Sequence, residues 1–181
     1  AICMCLWSCA QQSAPPTSQK IKPQLLLEDV DIFKEQLKKI HSGLYTYSSK
    51  QQLDSTFSAI ANSIKEPITG IDFYRKLLPL HNTIRNGHTF IIPPESWSKA
   101  AENELLHFPF DVYRDTEKLY ILRNLSNTMD ITPGSELLTI NKRPAIEVYW
   151  ELVANWTKDG YNTTYPEKIV QQDFSEFFLN T

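Results

Sequence analysis

Between Gln24 and Ile84 apolar residues return at every third or fourth position, and beyond Pro94 short β-branched and aromatic runs replace that period. A chain whose period changes in this way is expected to fold as helices followed by a mixed strand-and-helix region, an α+β class. Leu26, Val30, Phe33, Leu37 and Ile40 mark one face of a first helix, from Gln24 to Ile40. Gly43 and the serines of "HSGLYTYSS" interrupt it, after which Leu53, Phe57, Ile60 and Ile64 give a second. Ser49 and Gln52 have the spacing of a capping box at its start. Thr69 and Asp72 open a third, running to about Ile84 with Phe73, Leu77, Leu80 and Ile84 on one face. Pro79 lies inside that pattern and predicts a kink or an early end. Short connections predict that the three pack as a small bundle.

Past Gly87 the segment "HTFIIPP" reads as a short strand at the edge of the helices, ended by its prolines. Two apolar runs around "RDTEK" predict a β-hairpin, and "GSELLTINKRPA" another strand with a turn at Asn141 and Lys142. Ile146, Tyr149, Trp150 and Val153 mark a helix of about three turns. A last amphipathic segment begins near Pro166, at a helix start where a missing amide does no harm. The organisation read from these patterns is a helical domain over 24–94 and a strand-and-helix region over 95–181.

Charge narrows the function classes. With 18 basic and 21 acidic residues and a formal net charge of -3, the chain has no electrostatic footprint for nucleic acid. Cys3, Cys5 and Cys9 are the only cysteines, so residues 10–181 offer no thiol for a disulfide, a zinc site or a nucleophile. No His-Glu-x-x-His, Gly-x-Ser-x-Gly or phosphate-cradling glycine loop occurs, and no metal or cofactor is expected.

"AICMCLWSCA" is apolar and rich in small residues, and a polar, proline-containing stretch follows it. Residues 1–9 read as the tail of a secretion signal and 10–23 as a flexible spacer. "LWSC" resembles a bacterial lipobox, which implies that Cys9 is acylated and anchors the protein in the cell envelope. An ordinary signal remnant or a buried apolar terminus is the alternative.

Of the four histidines, His88 stands out, because it follows a glycine where the helical pattern stops. His41 reads as an interface or capping residue, and His81 and His107 have no paired spacing suited to a metal. Ser96 and Ser135 read as turn formers. Tyr45, Tyr47, Phe73 and Tyr74 read as core rather than as the lining of a cleft.

Several segments, taken in order, resemble one family. "LKKIHSGLYTY", "EPITGIDFYRKLLPL" and "IRNGHTFIIPP" are similar to the N-terminal helical region of bacterial C-terminal processing, or tail-specific, tricorn-like serine peptidases. "PGSELLTINKRPAIEVYWELV" is similar to the closing strand and helix of a PDZ-like domain, through Gly134, Ser135, Glu136, Leu137, Leu138, Ile140 and Asn141. Asn86 stands where the family has Asp before Gly-His, and Lys142 where the PDZ-like turn often has Gly.

The resemblance implies a three-helix region followed by a small PDZ-like domain and a C-terminal helix. The nucleophilic Ser and the groups that activate it would belong to a domain after Thr181. In the tricorn-like branch a histidine at the end of the helical region acts as general base, and His88 matches that position. A peptide or protein would be the substrate, and the chain by itself should not hydrolyse it. The other expectation is a non-catalytic envelope lipoprotein module that holds a peptide or a protein partner, adding it as a strand to a sheet edge.

Overall fold

A computed structural model describes residues 19–92, 99, 108–128 and 130–179, and within them the chain is mixed helix and antiparallel sheet. Cys9, Ser96 and His107 lie outside the described residues.

Strand β1 (Lys20–Ile21) leads into α1 (Pro23–Ile40), whose first residue is a proline, tolerated where the amide has no partner within the helix. Lys38 and Lys39 occupy its last turn, where the negative end of the helix dipole favours cations. Helix α2 (Lys50–Ser63) opens on the expected capping box. The Gln52 amide donates to Ser49 Oγ at 3.1 Å, and the Ser49 amide donates to Gln52 Oε1 at 2.8 Å. Strand β2 (Ile68–Thr69) pairs antiparallel with β1 and ends in the cap of α3 (Gly70–Leu77). The Asp72 amide donates to Thr69 Oγ1, which itself donates to the Asp72 carboxylate. That hydroxyl, with the Arg75 guanidinium, holds the Asp72 carboxyl below the usual carboxylate range.

The break expected at Pro79 is present: α3 stops at Leu77, and α4 (Pro79–Ile84) restarts after Leu78. One core gathers the faces of all four helices, with Leu26, Val30, Leu53, Phe57, Leu80 and Ile84 almost wholly buried. Ile40, by contrast, is 75% exposed, so the apolar face of α1 extends past the core by one turn.

The strand expected at "HTFIIPP" does not form over its described residues, 88–92. Phe90 and Ile92 point outward and Ile91 inward, which is the alternation of a strand. Among the described residues no neighbouring strand takes up its amides: Thr89 N–H goes to Asn86 O and Ile91 N–H to the ring of His81. Periodicity gives orientation, but a ladder needs a partner.

The second half holds the expected hairpin, β3 (Phe110–Asp115) with β4 (Lys118–Asn124), bulged between Asp111 and Val112. The turn at Asn141 and Lys142 joins β5 (Thr139–Ile140) to β6 (Arg143–Pro144), with φ of 50° and 68°. Two left-handed residues in succession make the turn whose twist suits a two-residue hairpin, and Lys142 adopts it without the relief of being glycine. Helix α5 (Ala145–Ala154) follows directly. The last segment is two helices rather than one, α6 (Thr164–Gln172) and α7 (Phe174–Leu179), with Asp173 between them. A second core joins them: Val112 and Leu119 of the hairpin meet Tyr149, Leu152, Val170 and Phe174.

Candidate functional site

The segment that carries His88 is a tight loop hung on the end of α4. Arg85 closes the helix in the left-handed region, with φ of 55°, and its amide donates to His81 O. Asn86 then organises the turn. Its Oδ1 accepts the His88 amide at 3.0 Å and the Thr89 hydroxyl at 3.2 Å, while its backbone carbonyl accepts the Thr89 amide at 2.9 Å. The atom Asn86 uses is an acceptor oxygen that an aspartate here would also offer.

Residues 155–160, some 70 positions later, clamp this loop from the other side. The Gly160 amide donates to Arg85 O at 2.9 Å, the Thr157 hydroxyl to Asn86 O at 2.7 Å, and the Gly87 amide to Asp159 Oδ1 at 2.7 Å. A Cβ on Gly87 would stand 2.8 Å from Asp159 Oδ2, so glycine here serves the close approach of that carboxylate rather than an unusual φ. Gly160 needs both, with φ of 58° and the Tyr47 ring 2.9 Å from where a Cβ would be. Tyr47 and Tyr45 are therefore surface residues, contrary to their reading as core, whereas Phe73 and Tyr74 do pack on the core. Tyr47 meets Tyr161 edge to face, and the Arg85 guanidinium lies 4.8 Å over the Tyr161 ring.

Replacing Gly87 with alanine should push the Asp159 carboxylate off the loop. Losing that charge-assisted hydrogen bond is expected to cost about 1–3 kcal/mol, read from denaturant unfolding, with faster amide exchange at His88 and Thr89.

His88 itself is exposed, and its ring has no hydrogen-bond partner among the described residues. It lines a groove of about 560 Å³ together with Phe33, Ile40, His41, Asn86 and Thr89. His41 ends α1 and reaches across this groove, its Nε2 2.8 Å from Thr89 Oγ1. The Thr89 hydroxyl already spends its proton on Asn86, so it accepts from His41, which therefore carries its proton on Nε2. His41 is thus the interface residue expected of it, and it braces the loop that presents His88. An exposed imidazole on a backbone held at several points has the chemistry to take a proton from an incoming hydroxyl.

The histidine that sequence reading passed over is His81. It is 1% exposed; Nδ1 meets Asn155 O at 2.9 Å, and Nε2 accepts the Ile91 amide at 2.7 Å. A carbonyl on one side and an N–H on the other leave one tautomer, neutral and protonated on Nδ1. Burial holds its pKa below the ordinary histidine value, against a smaller opposing effect of the Asn155 carbonyl. The ring joins α4 to both the segment after His88 and the clamp. Its position was legible, since His81 lies four residues after Leu77 and three before Ile84, on the apolar stripe. Its two partners were not.

Among the described residues no cluster of His, Cys, Asp or Glu is arranged to hold a metal, and no helix is long and apolar enough to cross a membrane. Ser135 sits in a turn, its amide donating to Thr132 O, as its sequence context suggested. Compared with known protein families, curated proteins and solved structures, the chain matches none.

Proposed function

We propose that this chain is the N-terminal, non-nucleophile portion of a cell-envelope serine peptidase, in which His88 acts as general base toward a serine supplied by a domain after Thr181. The observation that carries this reading is an exposed imidazole, free of ring partners among the described residues, on a loop fixed from two sides. A base must be held while its nitrogen stays open to the hydroxyl it deprotonates, and this loop meets both needs. In this reading α1 to α4 are the helical region that walls the substrate groove. The β5–β6 hairpin and α5 close a PDZ-like domain, and Cys9 carries the lipid that tethers the protein to the envelope.

The test is labelling of the longer parent protein with a serine-directed fluorophosphonate. His88→Ala should lower the labelling rate by about 10²–10⁴-fold, the usual contribution of a positioned base. Undiminished labelling of the variant would sink the general-base role.

One observation favours a second reading, a non-catalytic module that binds a peptide or a protein partner. In a Ser-His-Asp site a third group orients the imidazole. Here the Asn86 side chain is committed to the His88 backbone amide and to Thr89, and the described residues place nothing on the ring. A parent protein that never labels, yet retains peptides, would favour the module.

A further inference from the structure

A second pocket, of about 280 Å³, lies between α1 and α3 and shares Phe33 with the His88 groove. Leu26, Phe33, Phe73, Leu77 and Ile91 form apolar walls. Its size is at the lower end of small-ligand sites, suited to a single aromatic or branched aliphatic body.

Two residues with polar side chains line this pocket. Tyr74 is only 9% exposed and lines it, and its hydroxyl has no hydrogen-bond partner among the described residues. Burial also raises its pKa, so at neutral pH it is a neutral donor and acceptor. Asp29 lines the pocket too, exposed and therefore at its rim, and it has no ion pair among the described residues. Apolar walls with one carboxylate at the mouth select for charge as well as shape.

We propose that this pocket binds an apolar body bearing a single ammonium group, the body between α1 and α3 and the ammonium at Asp29. The assignment is independent of the peptidase reading. The same chemistry occurs in a free arylalkylamine and in the amino-terminal apolar residue of a peptide.

The experiment titrates 2-phenylethylamine, 2-phenylethanol and 3-phenylpropionate into the chain while the methyl resonances of Leu26, Leu77, Ile91 and Ile92 are followed by NMR. All four methyls should shift, and the amine should bind about two- to five-fold tighter than the alcohol, the range of an exposed ion pair, with the acid weakest. Asp29→Asn should erase the preference of amine over alcohol without moving the unfolding midpoint. Leu77→Trp should fill the pocket and abolish all three responses. A phenylalanyl-alanine amide that binds tighter than the bare amine assigns the ammonium to a peptide terminus, and the reverse order assigns it to a free amine. Equal affinity for the three probes, shifts that map elsewhere, or no shifts at millimolar concentration would overturn the proposal.

Discussion

Replacing His81 with leucine is expected to destabilise the fold by about 3 kcal/mol, since it leaves the buried Ile91 N–H and the part-buried Asn155 O without their partner at about 1–3 kcal/mol each. The volume is nearly kept, so the loss is one of hydrogen bonding rather than of packing. Denaturant unfolding of both proteins measures it, and a cost below 1 kcal/mol would mean that His81 does not hold these segments together. The loss should also depend on pH. Unfolded His81 titrates near its ordinary value, about 6.5, while in the fold burial holds it lower. Below about pH 6.5 the unfolded chain takes up a proton that the folded chain refuses, so wild-type stability falls as pH falls. The slope is at most about 1.4 kcal/mol per pH unit and levels off once pH passes below the folded pKa. Protonation at Nε2 would set an N–H against the Ile91 N–H, so the loop after His88 should open first. Leucine has no such titration, and the difference between the two proteins should shrink as the solution is acidified.

The larger packing effect is expected at Tyr149. Its side chain is 0% exposed, its hydroxyl donates to Glu167 O at 2.9 Å, and its ring stands parallel to Phe174 and edge-on to Trp150. Tyr149→Ala opens a cavity where α5, α6 and α7 meet, at an expected cost of about 3–5 kcal/mol. Tyr149→Phe keeps the ring and removes only the hydroxyl with its hydrogen bond to Glu167 O, at about 1 kcal/mol. The ratio of the two, from unfolding midpoints, separates packing from the hydrogen bond. Equal costs would show that the hydroxyl dominates.

Much of the fold was legible because its signals are local. The Ser49–Gln52 box, the Thr69 cap, the stop at Pro79 and the turn at Asn141 and Lys142 each depend on residues within four positions of one another. The apolar faces of α1, α2 and α5 follow from period alone. The segment after His88 shows the limit: it alternates as a strand would, but pairing is a property of two segments, and among the described residues no partner strand lies beside it. Likewise the single C-terminal helix expected from Pro166 onward divides at Asp173, where Phe174 turns into the second core.

The candidate site divides in the same way. Sequence singled out His88 and the glycine before it, and the resemblance of "IRNGHTFIIPP" gave His88 a role. It could not supply the residues that hold the loop, because Asp159, Thr157 and Gly160 come from more than 70 positions away. The dipeptide Asp159-Gly160 is by itself only a turn signal. By itself, then, the sequence determined the helices, their caps, the hairpin turns and the place where a histidine leaves a helix, since each is settled by backbone preference and spacing over one or two turns. Tertiary structure alone decided that Gly87 lies against the Asp159 carboxylate, that His81 is neutral and buried, and that His88 is held yet exposed. Those outcomes depend on which carboxylate, carbonyl and amide arrive from distant segments, and hydrogen bonds over such separations leave no periodic trace in the chain.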